Sequence, residues 1–108
     1  MAVVRIDGAK IADWASFHLV CKEAFGFPSF YGGNTNAFID CLTYIDEGDG
    51  MSQIELSDNE MLTIEVTNSG DFETRLPEIA RALSTAVEDL NDRFAERGIE
   101  PRIALLMI

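Results

Sequence analysis

The chain has 108 residues, 47% of them hydrophobic and 25% charged, which is the size and mix of one globular domain over residues 1–108 and excludes a disordered chain. Eight Lys and Arg stand against nineteen Asp and Glu, a formal net charge of −11. Such a charge argues against nucleic acid and anionic membrane as partners, and a macromolecular partner is expected to be basic.

Residues 3–6 form a short apolar run ended by Asp7-Gly8, the pattern of a strand followed by a turn. Asp13 is placed to cap a helix, because its carboxylate can accept the unpaired amide hydrogens of a first turn. Trp14, Phe17, Cys21, Ala24 and Phe25 follow at helical spacing, and Gly26 and Pro28 end the helix. Pro28 to Asn34 is a loop holding two adjacent aromatics. Asn34 then caps a second helix over roughly residues 35–45. Its core side is Phe38, Cys41, Leu42 and Ile45; Asn36, Ile39, Asp40 and Thr43 share the opposite side. On this wheel Ile39 is an exposed apolar residue in a polar face.

Residues 46–50 are an acidic loop with two glycines, without the ligand spacing of a calcium-binding loop. Ile54 and Leu56 alternate with polar neighbours, as do Leu62, Ile64 and Val66. A turn at residues 57–60 between them predicts a β-hairpin, with its extra strand near residues 53–57. Residues 68–71 read as a further turn. A long helix starts at Thr74 or a near neighbour, tolerates Pro77 in its first turn, and ends at Gly98. Ile79, Leu83, Ala86, Val87, Leu90 and Phe94 form its apolar stripe. The last six residues are apolar throughout and suit a strand buried on both faces of a parallel sheet. Helical crossovers between strands predict a small α/β layer structure.

No run approaches the ~20 apolar residues of a membrane span, and the first five residues lack a signal-peptide pattern, so a cytoplasmic protein is expected. Two cysteines, Cys21 and Cys41, are too few for a disulfide framework and read as buried reduced thiols. There is one histidine, His18, which reads as structural and has no nameable partner in the sequence. No metal or cofactor is expected, because Cys-x-x-Cys and His-Glu-x-x-His spacings are missing. With no G-x-S-x-G either, an enzyme is the weakest function class.

Ile6-Asp7-Gly8 followed by a helix, then Pro28-x-Phe30-Tyr31-Gly32-x-Asn34-x-x-Ala37-x-x-Asp40-Cys41-Leu42-Thr43, resembles the barstar family. The family pattern reads approximately P-x-Y-Y-G-x-N-x-D-A-L-W-D-x-L. The resemblance implies a three-stranded parallel sheet packed on helices, in two or three layers. It also implies intracellular inhibition of a small basic ribonuclease, by the second helix and the loop before it. Asp40 falls on the acidic position that enters the enzyme's phosphate site. Gly32 and Asn34 match; Phe30 lacks a hydroxyl, Asn36 replaces an aspartate and Ile39 a tryptophan. An acidic contact of the long helix falls at Asp92 or Arg93.

The expected partner-binding residues are therefore Phe30, Tyr31, Gly32, Asn34, Asn36, Ile39, Asp40 and Thr43. Of the two aromatics, one is expected to pack inward and one to reach the partner, with Tyr31 the better contact for its rigid surface and polar tip. Ile39 reads as an apolar anchor beside Asp40. The remaining acids, Asp46 to Asp49 and Glu88-Asp89, are expected to speed the encounter with a basic protein. The alternative is a module of the same fold that recognises a non-nuclease basic partner, because Asn36 and Ile39 remove a charge and an aromatic from the expected interface.

Overall fold

A computed structural model describes residues 2–108. Alternating apolar and polar residues make β1 (Ala2–Asp7) and β2 (Leu62–Thr67), and the apolar tail makes β3 (Ile103–Met107). The strand order is β1-β2-β3, with both pairs parallel. Pairing sets Val4 beside Ile64 and Leu105, and Ile6 beside Val66 and Met107, so one face of the sheet is apolar. The helices cover that face, giving two layers.

The other face carries Val3 and Leu106, each 47% exposed, and an ion pair from Arg5 Nε to Glu65 Oε1 at 2.7 Å. The expectation of a last strand buried on both faces is thus corrected. β3 lies at an edge, and its alternate residues Ala104 and Leu106, with Ile108 just beyond it, face outward because among the described residues no helix covers that face. An unbroken apolar run does not distinguish a two-sided from a one-sided strand.

α1 (Trp14–Phe25) begins at the expected cap. Asp13 accepts from the Ser16 amide at 2.8 Å, and the Ser16 hydroxyl accepts from the Asp13 amide at 3.0 Å. Gly26 ends it at φ +66°, where the Phe27 amide reaches the Lys22 carbonyl. α2 (Thr35–Leu42) stops three residues earlier than its apolar spacing predicts. Ile45 is buried all the same, in the turn that follows.

The predicted hairpin does not form. Residues 53–57 have no strand pairing; the Gln53 amide donates to the Phe25 carbonyl and the Leu56 amide to the Ile45 carbonyl. Ser52 fixes the same segment through a 2.6 Å bond to Phe25 O. This loop closes the ends of α1 and α2, so its alternation reflects Leu56 dipping into the core.

Residues 68–71, read as a turn, open α3 (Ser69–Arg75), and the long helix α4 (Pro77–Glu96) starts after it. Leu76 separates the two at φ −133°, because the proline ring disfavours helical backbone in the residue before it. The whole predicted stripe of α4 is buried. Gly98 at φ +76° terminates it, with Ile99 N bonded to Phe94 O and Gly98 N to Ala95 O. Asn91 then pins the start of β3, donating to Ile103 O and accepting from the Arg102 and Ile103 amides. Arg75 ties α3 to the first strand's exit through the carbonyls of Ile11 and Gly8.

Candidate functional site

The loop before α2 is built on an aromatic cluster. Phe38 of α2 packs edge-on against Phe25 and Phe27, and the Tyr31 ring lies 4.7 Å from that of Phe27. The Tyr31 hydroxyl is 2.8 Å from Nδ1 of His18, a buried α1 residue that stacks on Trp14. Burial lowers the His18 pKa and raises that of Tyr31. Nothing in the sequence pairs these two residues, thirteen positions apart.

Of the two adjacent aromatics, Tyr31 is the one that turns inward and Phe30 the one that turns outward. Tyr31 is half-buried and its polar tip is taken by His18, whereas Phe30 is 73% exposed. Spacing says only that adjacent loop residues diverge; His18 decides which one turns in. Gly33, at φ +66°, supplies the left-handed backbone of the loop, and a side chain on Gly32 would make only ordinary contacts. Asn34 Oδ1 accepts from the Ala37 amide at 2.8 Å, so this side chain serves the helix cap.

On α2, Asn36 and Asp40 lie one turn apart and both are exposed. Ile39 does not join them: it is buried, and its reading as an exposed anchor is corrected. α4 runs alongside α2 and covers that flank, which a wheel drawn for one helix cannot register. Thr43 is buried for the same reason, and its hydroxyl donates to the Ile39 carbonyl at 2.7 Å.

The flank of α4 brings in residues that motif reasoning left open. Arg93 Nη1 donates to Asp40 Oδ1 at 3.2 Å and to the Thr43 hydroxyl at 3.0 Å. Of the two residues considered for the long-helix contact, Arg93 is therefore the one beside Asp40, and it is basic. One turn later Arg97 closes the end of α2. Its Nη2 donates to the Thr43 carbonyl and to Asp46 Oδ1, both at 2.9 Å, and Nη1 reaches Asp46 and Glu47. Tyr44 lies over the guanidinium at 4.8 Å. A cation at a helix C-terminus satisfies carbonyls that have no helical partner. Asp46 holds the Arg97 pKa above its ordinary value.

Both cysteines are free and buried; burial pushes the Cys21 thiol up to about 12 and raises Cys41 as well. Among the described residues, no three His, Cys, Asp or Glu side chains gather as a metal-holding group. No helix among them is long and apolar enough to cross a membrane.

A parallel three-stranded sheet under four helices, with an acidic residue displayed on the second helix, defines a small α/β domain in outline. The family model "Barstar (barnase inhibitor)" matches residues 1–105, and the chain belongs to the barstar family. Members of that family are inhibitors rather than enzymes, and membership supports a ribonuclease-inhibitor-like role at family level. A search of curated proteins finds no match to this sequence.

Proposed function

We propose that this protein inhibits a small basic ribonuclease by seating α2 and the loop before it over the enzyme's active site. The observation that carries this reading is Asp40, whose side chain is 66% exposed on α2 in a chain that matches a ribonuclease-inhibitor family. An enzyme that cleaves RNA holds phosphates with cations. A carboxylate delivered there has the right charge to take a phosphate's place and forms charge-assisted hydrogen bonds as water leaves. The ion pair that Asp40 makes with Arg93 is solvent-exposed, so it holds the carboxylate by no more than about 1 kcal/mol and yields to a better-placed cation. Phe30, exposed in the loop, supplies apolar area. The net charge of −11 speeds encounter with a basic enzyme, an effect that salt screens. The barnase complex of this family is itself one of the systems on which the rules for hot spots and steering rest.

RNA cleavage by barnase, titrated with this protein, tests the reading. Asp40→Ala should weaken inhibition by about 2 kcal/mol or more, roughly thirtyfold. Glu88→Ala, a change on an exposed position of α4, should shift it by about twofold at most. Equal or negligible effects of the two changes would remove Asp40 from the interface.

A second reading, a barstar-fold module for a non-nuclease basic protein, draws on the Arg93–Asp40 pair and the burial of Ile39. The first lowers the charge that α2 presents, and the second takes away an apolar contact. Capture of the partner from the native cytoplasm separates the readings: a nuclease favours the first, a non-nuclease that Asp40→Ala no longer binds favours the second.

A further inference from the structure

Asp40 and Arg93 stand on different helices and both remain open to solvent, at 66% and 44% exposure. Among the described residues Arg93 is engaged through one nitrogen: Nη1 holds Asp40 Oδ1 and the hydroxyl of buried Thr43. Among the described residues nothing bonds to Nε or Nη2 of Arg93, or to Oδ2 of Asp40. The Thr43 bond holds the guanidinium in place, and Thr43 is itself tied to Ile39 O. The result is a carboxylate oxygen and a guanidinium edge displayed side by side.

We propose that Arg93 is a specificity-determining residue, which lets a partner bring one cation to Asp40 and rejects a second cation beside it. The inference rests on the reading of α2 as the inhibitory surface. A lone carboxylate attracts several cations at once. A carboxylate with a fixed guanidinium at its side attracts a cation on one edge and repels it on the other. The fitting partner therefore places a hydrogen-bond acceptor against Arg93. A hollow of about 420 Å³ lined by Thr43, Tyr44, Arg93, Glu96 and Arg97 opens there. Arg97 is already held by Asp46 and Glu47, and Glu96 adds another negative charge, so a second carboxylate is unwelcome. A neutral acceptor, a main-chain carbonyl or a side-chain amide, fits both Arg93 and this field.

Inhibition of barnase by the wild-type protein, Arg93→Glu and Arg93→Gln decides the matter, because a phosphate-binding active site is dense in cations. Arg93→Glu should tighten inhibition by about tenfold or more at low salt, and Arg93→Gln by less. Both gains should shrink as salt rises from about 50 to about 500 mM. The position is exposed, and Arg93→Gln adds no like charge opposite Asp40, so at least one variant folds as the wild type does. If the wild type inhibits and both variants inhibit equally or more weakly, Arg93 does not select against cations and the inhibitory reading still stands. If the wild type and both variants all leave RNA cleavage untouched, the inhibitory reading falls and the inference falls with it.

Discussion

The two sides of α2 are organised by different forces. Toward α1 and the preceding loop lies the aromatic cluster of Phe25, Phe27, Tyr31 and Phe38, closed by the His18–Tyr31 hydrogen bond. Toward α4 lies a charged edge, where Arg93 and Arg97 meet Asp40, Asp46 and Glu47. The first side draws on area removed from water and on close packing, which ionic screening does not weaken. The second draws on charges that are partly hydrated, so its strength depends on ionic strength and on which charges a partner brings. One side gives the loop a fixed shape; the other leaves its exposed pair, Arg93 and Asp40, open to change at little cost in stability.

The largest effect should come from emptying the aromatic side. Phe38→Ala leaves a cavity among Phe17, Phe25 and Phe27 and should cost about 3–5 kcal/mol in urea unfolding. A loss under about 1 kcal/mol would mean the cluster does not carry α2. On the charged edge, Arg97→Ala removes the group that satisfies Thr43 O and the largely buried Asp46 carboxylate. It should cost about 1–3 kcal/mol, well above the roughly 0–1 kcal/mol expected for the exposed Arg93–Asp40 pair. An Arg97 loss as small as that would make the whole edge dispensable.

A pH-dependent effect smaller than that of Phe38→Ala is expected at His18 and sharpens the boundary of the aromatic side. Burial lowers the His18 pKa below its ordinary 6.5, so the unfolded chain binds the proton more readily than the folded one. The stability held by neutral His18 is present in full above pH 6.5 and is lost as pH falls through the lowered folded value. Thermal melts of the wild type and His18→Gln should therefore converge as pH falls from about 7 to about 5. At neutral pH the variant should be about 1 kcal/mol less stable, for the loss of one hydrogen bond. Parallel melting curves across that range would show that His18 does not titrate on unfolding.

Much of the framework was legible because it depends on local chemistry. Asp13 and Asn34 cap the helices they precede, Gly26 and Gly98 end theirs, and the stripe from Ile79 to Phe94 is buried as its spacing predicts. The misread elements share a cause. Residues 53–57 alternate like a strand but bind the ends of α1 and α2. The last strand reads as buried twice but has helices on one face only. Pro77 is tolerable in a first turn, and its effect on Leu76 splits off α3 as a separate helix.

In the candidate site, Asp40 was legible through the motif and Asn36 through the helix wheel. Ile39 was misplaced because the wheel has no neighbour in it. His18 and Tyr31, thirteen residues apart, and Asp40 and Arg93, fifty-three apart, meet only when α1, α2 and α4 are packed together.

By itself the sequence determined a −11 acidic α/β chain, its caps and stripes, and an acidic residue on the outer side of its second helix. Those features follow from charge count and from periodicities of 2 and 3.6, which act within a few residues. Only the tertiary structure decided that Phe30 points outward, that Ile39 is buried and that Arg93 lies against Asp40. Each of these depends on which element lies alongside α2, and contact between distant segments is not encoded in the spacing of either one.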